Sequence, residues 1–289
     1  GPVNASGVFD IILGDFGRLA SIDYVKYLSE EERQEILGDR KSNFFDEERL
    51  IMFNLCCQIG WYKRDAISKQ IQTKGYVDRN ILIGIGPESV ASEFLERGAE
   101  TIRANIELAM IMGFEKIRVY TPCNGLSDLV REATSSAFQA LKGTENKVTI
   151  HMKEGSKSSN QAVIEFCSVP EKVVRRVVRE GKSHTVLVLG TRGVNEIYKR
   201  EVAGTGVTVF PLDDEDFDLL DDAIVASIGK GQDSLMSAKI LLEESIVSRF
   251  RSKFPDGVVI EACTDFDFGI GDSSLKIFAE EMVLDVYRN

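Results

Sequence analysis

Two of the five cysteines stand where a thiol could act on a small molecule. Cys123 ends the segment IRVYTPC and Cys263 ends VVIEAC, so each follows an apolar run that predicts a β-strand. Each is followed by a small polar residue, Asn124 or Thr264. In open α/β sheets, ligands bind at the carboxyl ends of the strands, where backbone N–H groups of the next loop or helix face the site. Both thiols are therefore candidate functional groups, and simple packing is the alternative for each.

The other cysteines and the two histidines favour structural roles. Cys56 and Cys57 end the apolar run LIMFNLCC, and neighbours on a strand point to opposite faces, so at least one of them packs as a small hydrophobic residue. Cys167 ends VIEFC and is also predicted to pack. His151 and His184 are the two histidines of the sequence, and each stands at the edge of a predicted strand. This placement disfavours a catalytic triad that uses histidine. The sequence has no GxxxxGK[ST], HExxH or CxxC motif, so the usual signatures of a phosphate-binding loop, a zinc protease and a dithiol site are missing.

Short β-branched runs alternate with longer amphipathic stretches along the chain. This alternation is typical of an α/β fold with a largely parallel sheet. The predicted strands lie at 9–13, 50–55, 81–85, 117–120, 148–152, 163–166, 186–189, 207–210 and 258–262. Helical periodicity is clearest at 88–112, 169–179 and 234–250. The acidic run at 213–222 predicts a helix start, because carboxylates stabilise the positive end of the helix dipole; a metal site is the alternative.

Length and charge narrow the class of protein. A chain of 289 residues predicts roughly two domains at about 150 residues each. A net charge of −11 disfavours nucleic acid and anionic membranes as partners. No segment approaches the roughly 20 apolar residues of a membrane span, and the first residues lack a signal-peptide pattern. The odd number of cysteines disfavours a disulfide scaffold, so we expect a cytoplasmic protein with free thiols.

Four sequence blocks, taken in order, resemble those of a known family. They are IILGDFGRLASIDYVKYL with its turn at Gly14 and Gly17, then TPCNGLSDL, then VLVLGTRGVNEIYKREV followed by VTVFPLDDED, and finally EACTDF. They are similar to the first strand and glycine turn, the first cysteine motif, the Leu-Gly-Thr turn with its helix, and the second cysteine motif of the aspartate/glutamate racemase superfamily. The likeness spans nearly the whole chain.

The resemblance implies an α/β fold of two similar domains, each with a mainly parallel sheet flanked by helices, and an active site in the cleft between them. We expect a first domain at 1–143, completed by the C-terminal helix at 272–289 and carrying Cys123. A second domain at 144–271 would carry Cys263. Members of the family use no cofactor and no metal and are commonly dimers, which implies a homodimer acting on a small-molecule amino acid substrate.

The implied reaction is racemisation of a small acidic amino acid, such as aspartate, glutamate or a close derivative, by Cys123 and Cys263. Inverting an α-carbon requires a base on one face and an acid on the other, and two like groups can exchange these roles. An unperturbed thiol titrates near about 8.5, so positive potential in the site must favour the thiolate. Both sulfurs would have to lie roughly 6–7 Å apart to reach one carbon, which is too far for a disulfide.

By the same resemblance, residues next to each cysteine would hold the substrate carboxylate as it becomes enolate-like. These are Asn124 with the backbone near Gly125 after the first cysteine, and Thr264 with the backbone near Asp265 after the second. Donors aimed at developing charge are the largest expected contribution to catalysis.

Other residues would hold the distal carboxylate or shape the site. Asn54 and Arg64 fall near the position of the family's Arg, and Arg200 stands where the family carries a Lys. An Arg can clamp a carboxylate through two parallel bonds, although an ordinary surface cation is the alternative for both arginines. Thr191, just after a strand, would orient a thiol or a loop.

The sequence departs from the family at Gly125, Ser127 and Asp265, where Thr, His and Glu are usual. These departures leave two other hypotheses open. The chain could be a one-cysteine decarboxylase or isomerase of the same superfamily, or a non-catalytic module that binds a dicarboxylate.

Overall fold

The computed structural model describes residues 7–40, 51–58, 60–84, 88–151, 159–229, 232–263 and 268–287, and these residues form two sheets. The first sheet has the strand order β2-β1-β3-β5-β4. Its strands are β1 (Val8–Leu13), β2 (Ile51–Cys56), β3 (Lys116–Tyr120), β4 (Lys147–His151) and β5 (Ser159–Phe166). Every pair in it is parallel except β4 with β5.

The second sheet is wholly parallel, with the order β7-β6-β8-β9. Its strands are β6 (Thr185–Leu189), β7 (Thr208–Val209), β8 (Val258–Glu261) and β9 (Asp272–Ser273). The helices of the first half are α1 (Arg18–Arg40), α2 (Gly60–Lys74), α3 (Arg79–Ile83), α4 (Glu88–Ile111) and α5 (Ser127–Ala140). Those that follow are α6 (Val169–Glu180), α7 (Arg192–Val202), α8 (Asp214–Gly229), α9 (Gln232–Leu242), a π-helical turn (Glu243–Val247), α10 (Ser248–Lys253) and α11 (Ser274–Tyr287). The predicted α/β fold with mainly parallel, helix-flanked sheets is confirmed.

Parallel strands covered by helices on both faces read as continuous apolar runs, which is why the sequence pattern locates most of them. All six residues of β1 are buried, including the charged Asp10. Arg118 on β3 neutralises that carboxylate through a bidentate salt bridge. Its Nε donates to Asp10 Oδ1 at 2.6 Å and its Nη2 donates to Asp10 Oδ2 at 2.7 Å. Arg118 Nη1 also donates to the Met282 carbonyl of α11 at 2.7 Å. The buried pair therefore ties the C-terminal helix to the first sheet.

The prediction of a strand at 81–85 is wrong for the residues of this run that the structure describes, because helix α3 covers residues 79–83. A short apolar run does not distinguish a strand from a buried turn of helix. Contacts with α8 decide the matter: Arg79 Nη2 donates to the Asp218 carbonyl and to Asp222 Oδ1, both at 3.0 Å. Ile81 on the same short helix is buried.

The predicted division of the chain at residue 143 also differs from the structure. Strands β4 and β5 lie beyond it, yet both belong to the first sheet, because β5 pairs with β3 and β4 turns back antiparallel on β5. The C-terminal helix α11 packs against α1 and against α6. One apolar core contains residues of both halves, such as Ile12 and Tyr24 with Val188 and Ile260. The two sheets are thus parts of one packed body.

The acidic run at 213–222 begins α8, as predicted. The Asp216 amide donates to Asp213 Oδ1 at 2.9 Å, and the Asp213 amide donates back to Asp216 Oδ2 at 3.0 Å. This reciprocal arrangement is a capping box, which satisfies N–H groups that a helix start otherwise leaves unpaired. No cluster of His, Cys, Asp or Glu suited to a metal ion occurs among the residues that the structure describes. Over the same residues, no helix combines the length and apolar character needed to cross a membrane.

Candidate active site

Cys123 and Cys263 line the same cavity, which has a volume of about 460 Å³. Cys123 follows the last residue of β3 by three positions, and Cys263 follows the last residue of β8 by two. The two thiols therefore come from different sheets, each from the carboxyl end of a parallel strand. That edge is where α/β sheets bind ligands. The structure brings together two groups that are far apart in the sequence.

All five cysteines lie in the described part of the chain, and none of them forms a disulfide. Cys123 and Cys263 are partly buried, with access to the cavity. Burial raises the pKa of the Cys56 thiol to about 11 and also raises that of Cys167, so both are protonated packing residues at neutral pH. Cys57 is exposed and does not line the cavity. Only the two cavity thiols are placed to meet a bound small molecule.

Buried hydrogen bonds hold the loop that carries Cys123. Ser127 Oγ donates to the carbonyls of Cys123 and Asn124, at 3.0 Å and 2.9 Å. The Asn124 amide is itself engaged, because its Oδ1 accepts from the Tyr198 hydroxyl at 2.7 Å and its Nδ2 donates to Ser274 Oγ at 3.0 Å. Asn124 lines the cavity, but its side chain acts first as a link between the loop, α7 and α11.

Two helices begin at the cavity wall. Gly125, predicted to help hold a carboxylate, is exposed there and precedes α5, whose first residue is Ser127. Thr191 caps α7, since its hydroxyl accepts from the Val194 amide at 3.2 Å. The predicted role of Thr191 in orienting a thiol or a loop stays a prediction; its observed contact is this helix cap. The N-terminus of a helix has exposed N–H groups and a positive dipole end, both of which favour an anion.

Arg200 lines the cavity, and its guanidinium lies close to the carboxylate of Asp128, another lining residue. Arg200 Nη2 donates to Asp128 Oδ1 at 2.9 Å, which joins α7 to α5. About half of each side chain is exposed (53% and 48%), so solvent screens the pair and a competing carboxylate can reach the Arg. Arg200 is the described cation best placed for a substrate carboxylate.

Asn54 and Arg64 are not brought to this site. Neither lines the cavity. Asn54 Nδ2 donates to Asn105 Oδ1 on α4 at 2.9 Å, and Arg64 Nη2 contacts Asp15 Oδ1 at 2.5 Å. The predicted role of these two residues in holding a distal carboxylate is therefore not supported. Thr264 and Asp265 lie outside the described residues.

Sequence reasoning missed Lys63 of α2, which lines the cavity and donates through Nζ to the Leu82 carbonyl at 3.1 Å. Lys63 stands next to Arg64 in the sequence. The sequence predicts Arg64 instead, because its residue type matches the Arg of the family. On a helix, neighbours point about 100° apart, so only one of the two faces the cavity. Asp128 and Glu196 also line the cavity and were missed, because a single acidic residue on a helix is typical of solvated surface.

The sequence matches no protein-family model and no curated protein. Solved structures share its fold. A candidate Asp/Glu racemase from Yersinia pestis aligns over 98% of this chain and 100% of its own, with a TM-score of 0.59 at 12% identity. An aspartate racemase homologue from Pyrococcus horikoshii aligns over 98% of this chain and 100% of its own, with a TM-score of 0.57 at 13% identity. Picrophilus torridus aspartate racemase aligns over 98% of this chain and 94% of its own, with a TM-score of 0.53 at 14% identity.

These likenesses establish the class of fold over nearly the whole chain: two mainly parallel α/β halves, as in Asp/Glu racemase structures. At identities of 12–14% they carry the fold, and the chemistry has to be argued from the residues of the cavity.

Proposed function

We propose that this chain is a cofactor-independent amino acid racemase in which Cys123 and Cys263 transfer protons at the substrate α-carbon. The observation that carries the proposal is the shared cavity: two thiols, one from each sheet, line one space of about 460 Å³. The fold that the chain shares with Asp/Glu racemase structures supports the same class of reaction.

In the proposed reaction, one cysteine is the thiolate when substrate binds. It takes the α-proton and becomes a thiol, and the electron pair left on carbon delocalises into the α-carboxylate. The second cysteine, a thiol at the start, gives its proton to the opposite face of the carbon and becomes the thiolate. Atoms and charge balance, and the enzyme ends each turnover with the two roles exchanged, ready for the other enantiomer.

The carboxylate gains charge in this step and needs donors that are already in place. The starts of α5 and α7 and the guanidinium of Arg200 lie on the cavity wall and supply them. The two-thiol chemistry requires an α-proton and an α-carboxylate and is independent of the side chain. For an acidic substrate the sequence predicts Arg64 and Arg200 at the distal carboxylate. Arg64 is paired with Asp15 outside the cavity, and in the reaction proposed here Arg200 holds the α-carboxylate instead.

The test is isotope exchange. Each enantiomer of a panel of acidic and neutral amino acids is incubated with the protein in heavy water, and deuterium at the α-carbon is read by mass spectrometry. We expect exchange with at least one amino acid, together with formation of the other enantiomer. A complete panel without exchange contradicts the proposal.

Three alanine variants separate the alternatives. Cys123→Ala and Cys263→Ala each remove one of the two acid–base groups, so both should abolish racemisation. Cys57→Ala is the matched control, because this exposed thiol lies away from the cavity. Full activity in one of the two cavity variants would instead indicate a one-cysteine enzyme. Ligand binding without any exchange would indicate a binding module.

A further inference from the structure

Apolar side chains dominate the part of the cavity wall that does not carry the thiols. They come from the loop after β1 and from helices α3, α5, α7 and α8. The residues are Phe16, Leu82, Ile83, Leu129, Ile197 and Ile224. Small-molecule sites in proteins are commonly pockets of about 300–1,000 Å³ with mostly apolar walls and a few polar groups. A wall of this composition stabilises an apolar group and desolvates a charged one.

The charges that line the cavity cancel. Lys63 and Arg200 carry two positive charges, and Asp128 and Glu196 carry two negative ones. Arg200 already contacts Asp128, at 2.9 Å. In the reaction proposed above, Arg200 binds the α-carboxylate of the substrate. Among the described lining residues this leaves only Lys63 for a second carboxylate, and Lys63 Nζ donates to the Leu82 carbonyl.

The segments that flank the lining residues add no cation in sequence. Residues 85–87 are Ile, Gly and Pro, and residues 264–267 are Thr, Asp, Phe and Asp. A distal carboxylate in this cavity would be desolvated among apolar side chains, while the described lining residues offer it no net positive charge, which is unfavourable for an unpaired anion.

Resting on the proposed racemase function, we propose that the substrate is an amino acid, or a derivative with the same α-carbon, whose side chain is apolar. Its α-carboxylate lies at Arg200 and the helix starts, and its side chain lies among the apolar residues contributed by α3, α5, α7 and α8. This assigns the cavity to aliphatic or aromatic side chains and excludes dicarboxylic ones.

Leucine and aspartate make a sharp pair of probes, since an isobutyl group and a carboxymethyl group have nearly the same shape and differ in charge. Binding of L-leucine, L-phenylalanine, L-aspartate and L-glutamate is measured by calorimetry, and α-deuterium exchange is measured with the same four compounds. We expect leucine or phenylalanine to bind at least about tenfold more tightly than aspartate, because the side-chain carboxylate of aspartate would lose its hydration among apolar residues. Tighter binding of aspartate or glutamate overturns the inference, and so does the absence of binding by all four.

The two readouts keep this inference distinct from the proposed function. Exchange with aspartate or glutamate alone would retain the racemase and refute the apolar side chain. Preferred binding of leucine or phenylalanine without exchange by any compound would retain the apolar site and refute the racemase.

A positive charge introduced into the apolar wall of the cavity tests whether the substrate side chain binds there. Leu82 is only partly buried, so Leu82→Arg adds a cation to the cavity at small cost to the fold. We expect this variant to lose about tenfold in leucine affinity and to gain affinity for aspartate. Leu108→Arg makes the same change at an exposed position of α4 outside the cavity and should alter neither. Unchanged selectivity in a folded Leu82→Arg variant would contradict the assignment of this cavity.

Discussion

Tyr198 and Asn124 are joined by a buried hydrogen bond, in which the phenol donates to Oδ1 over 2.7 Å. Each side chain is only 1% exposed. Tyr198 belongs to α7, between two strands of the second sheet, and Asn124 directly follows Cys123 at the end of the first sheet. Because Asn124 Nδ2 also donates to Ser274 of α11, one amide connects three segments behind the cavity. The position of the first thiol therefore depends on residues from the second half of the chain.

Tyr198→Phe should expose this dependence. It keeps the ring and removes the donor, so Asn124 Oδ1 loses a partner in a buried place, which costs about 1–3 kcal/mol of unfolding free energy. We expect a lower turnover rate with little change in KM, because the thiol is displaced while the binding wall is kept. Denaturant unfolding and deuterium exchange measure the two effects. Lys199→Gln, on the exposed side of the same helix, is the control. Equal activity of Tyr198→Phe and the control would show that the bond does not position the thiol.

The buried pair of Arg118 and Asp10 predicts a non-additive effect on stability. Arg118→Met leaves the Asp10 carboxylate buried without its cation, and we expect a loss of about 3–5 kcal/mol in the free energy of unfolding. The double variant Asp10→Leu with Arg118→Met removes both charges and should recover much of that loss. Denaturant titrations of the two single variants and the double variant form a thermodynamic cycle. A double variant as unstable as the sum of the single ones would contradict strong coupling.

Cys56 predicts a loss of stability at alkaline pH. Burial, followed by the neighbouring Cys57 thiol, raises the pKa of the Cys56 thiol above its ordinary value, to about 11. The folded state thus holds the proton more tightly than the unfolded state, so the stabilisation is complete below pH 9 and declines as the pH rises towards 11. We expect the free energy of unfolding to fall across this window, with a shallower slope in Cys56→Ala. Urea titrations of both proteins at matched pH values measure the difference. Parallel curves would mean that Cys56 does not contribute.

How far the sequence leads can be judged at the two catalytic candidates. Cys123 and Cys263 are predicted from local pattern, since each follows an apolar run and parallel strands that are buried on both faces read as such runs. The order of four motifs predicts the class of fold, and the solved structures share it. The acidic start of α8 is likewise a local feature, because a capping box involves residues three apart.

Tertiary structure decided what depends on distant partners. Arg64 is 49 positions from Asp15 in sequence, and no local pattern shows that this carboxylate would take the guanidinium away from the cavity. Asn54 is engaged by Asn105 in the same way. The run at 81–85 is apolar enough for a strand, and contacts with α8 make its described part a helix.

The sequence by itself determined the kind of elements and the placement of a thiol after two strands, because those follow from hydrophobic pattern and neighbouring residues. Only the tertiary structure decided that the two thiols share one cavity, which charges remain there and that its walls are apolar, because side chains far apart in the chain compete for partners and burial only once it is folded.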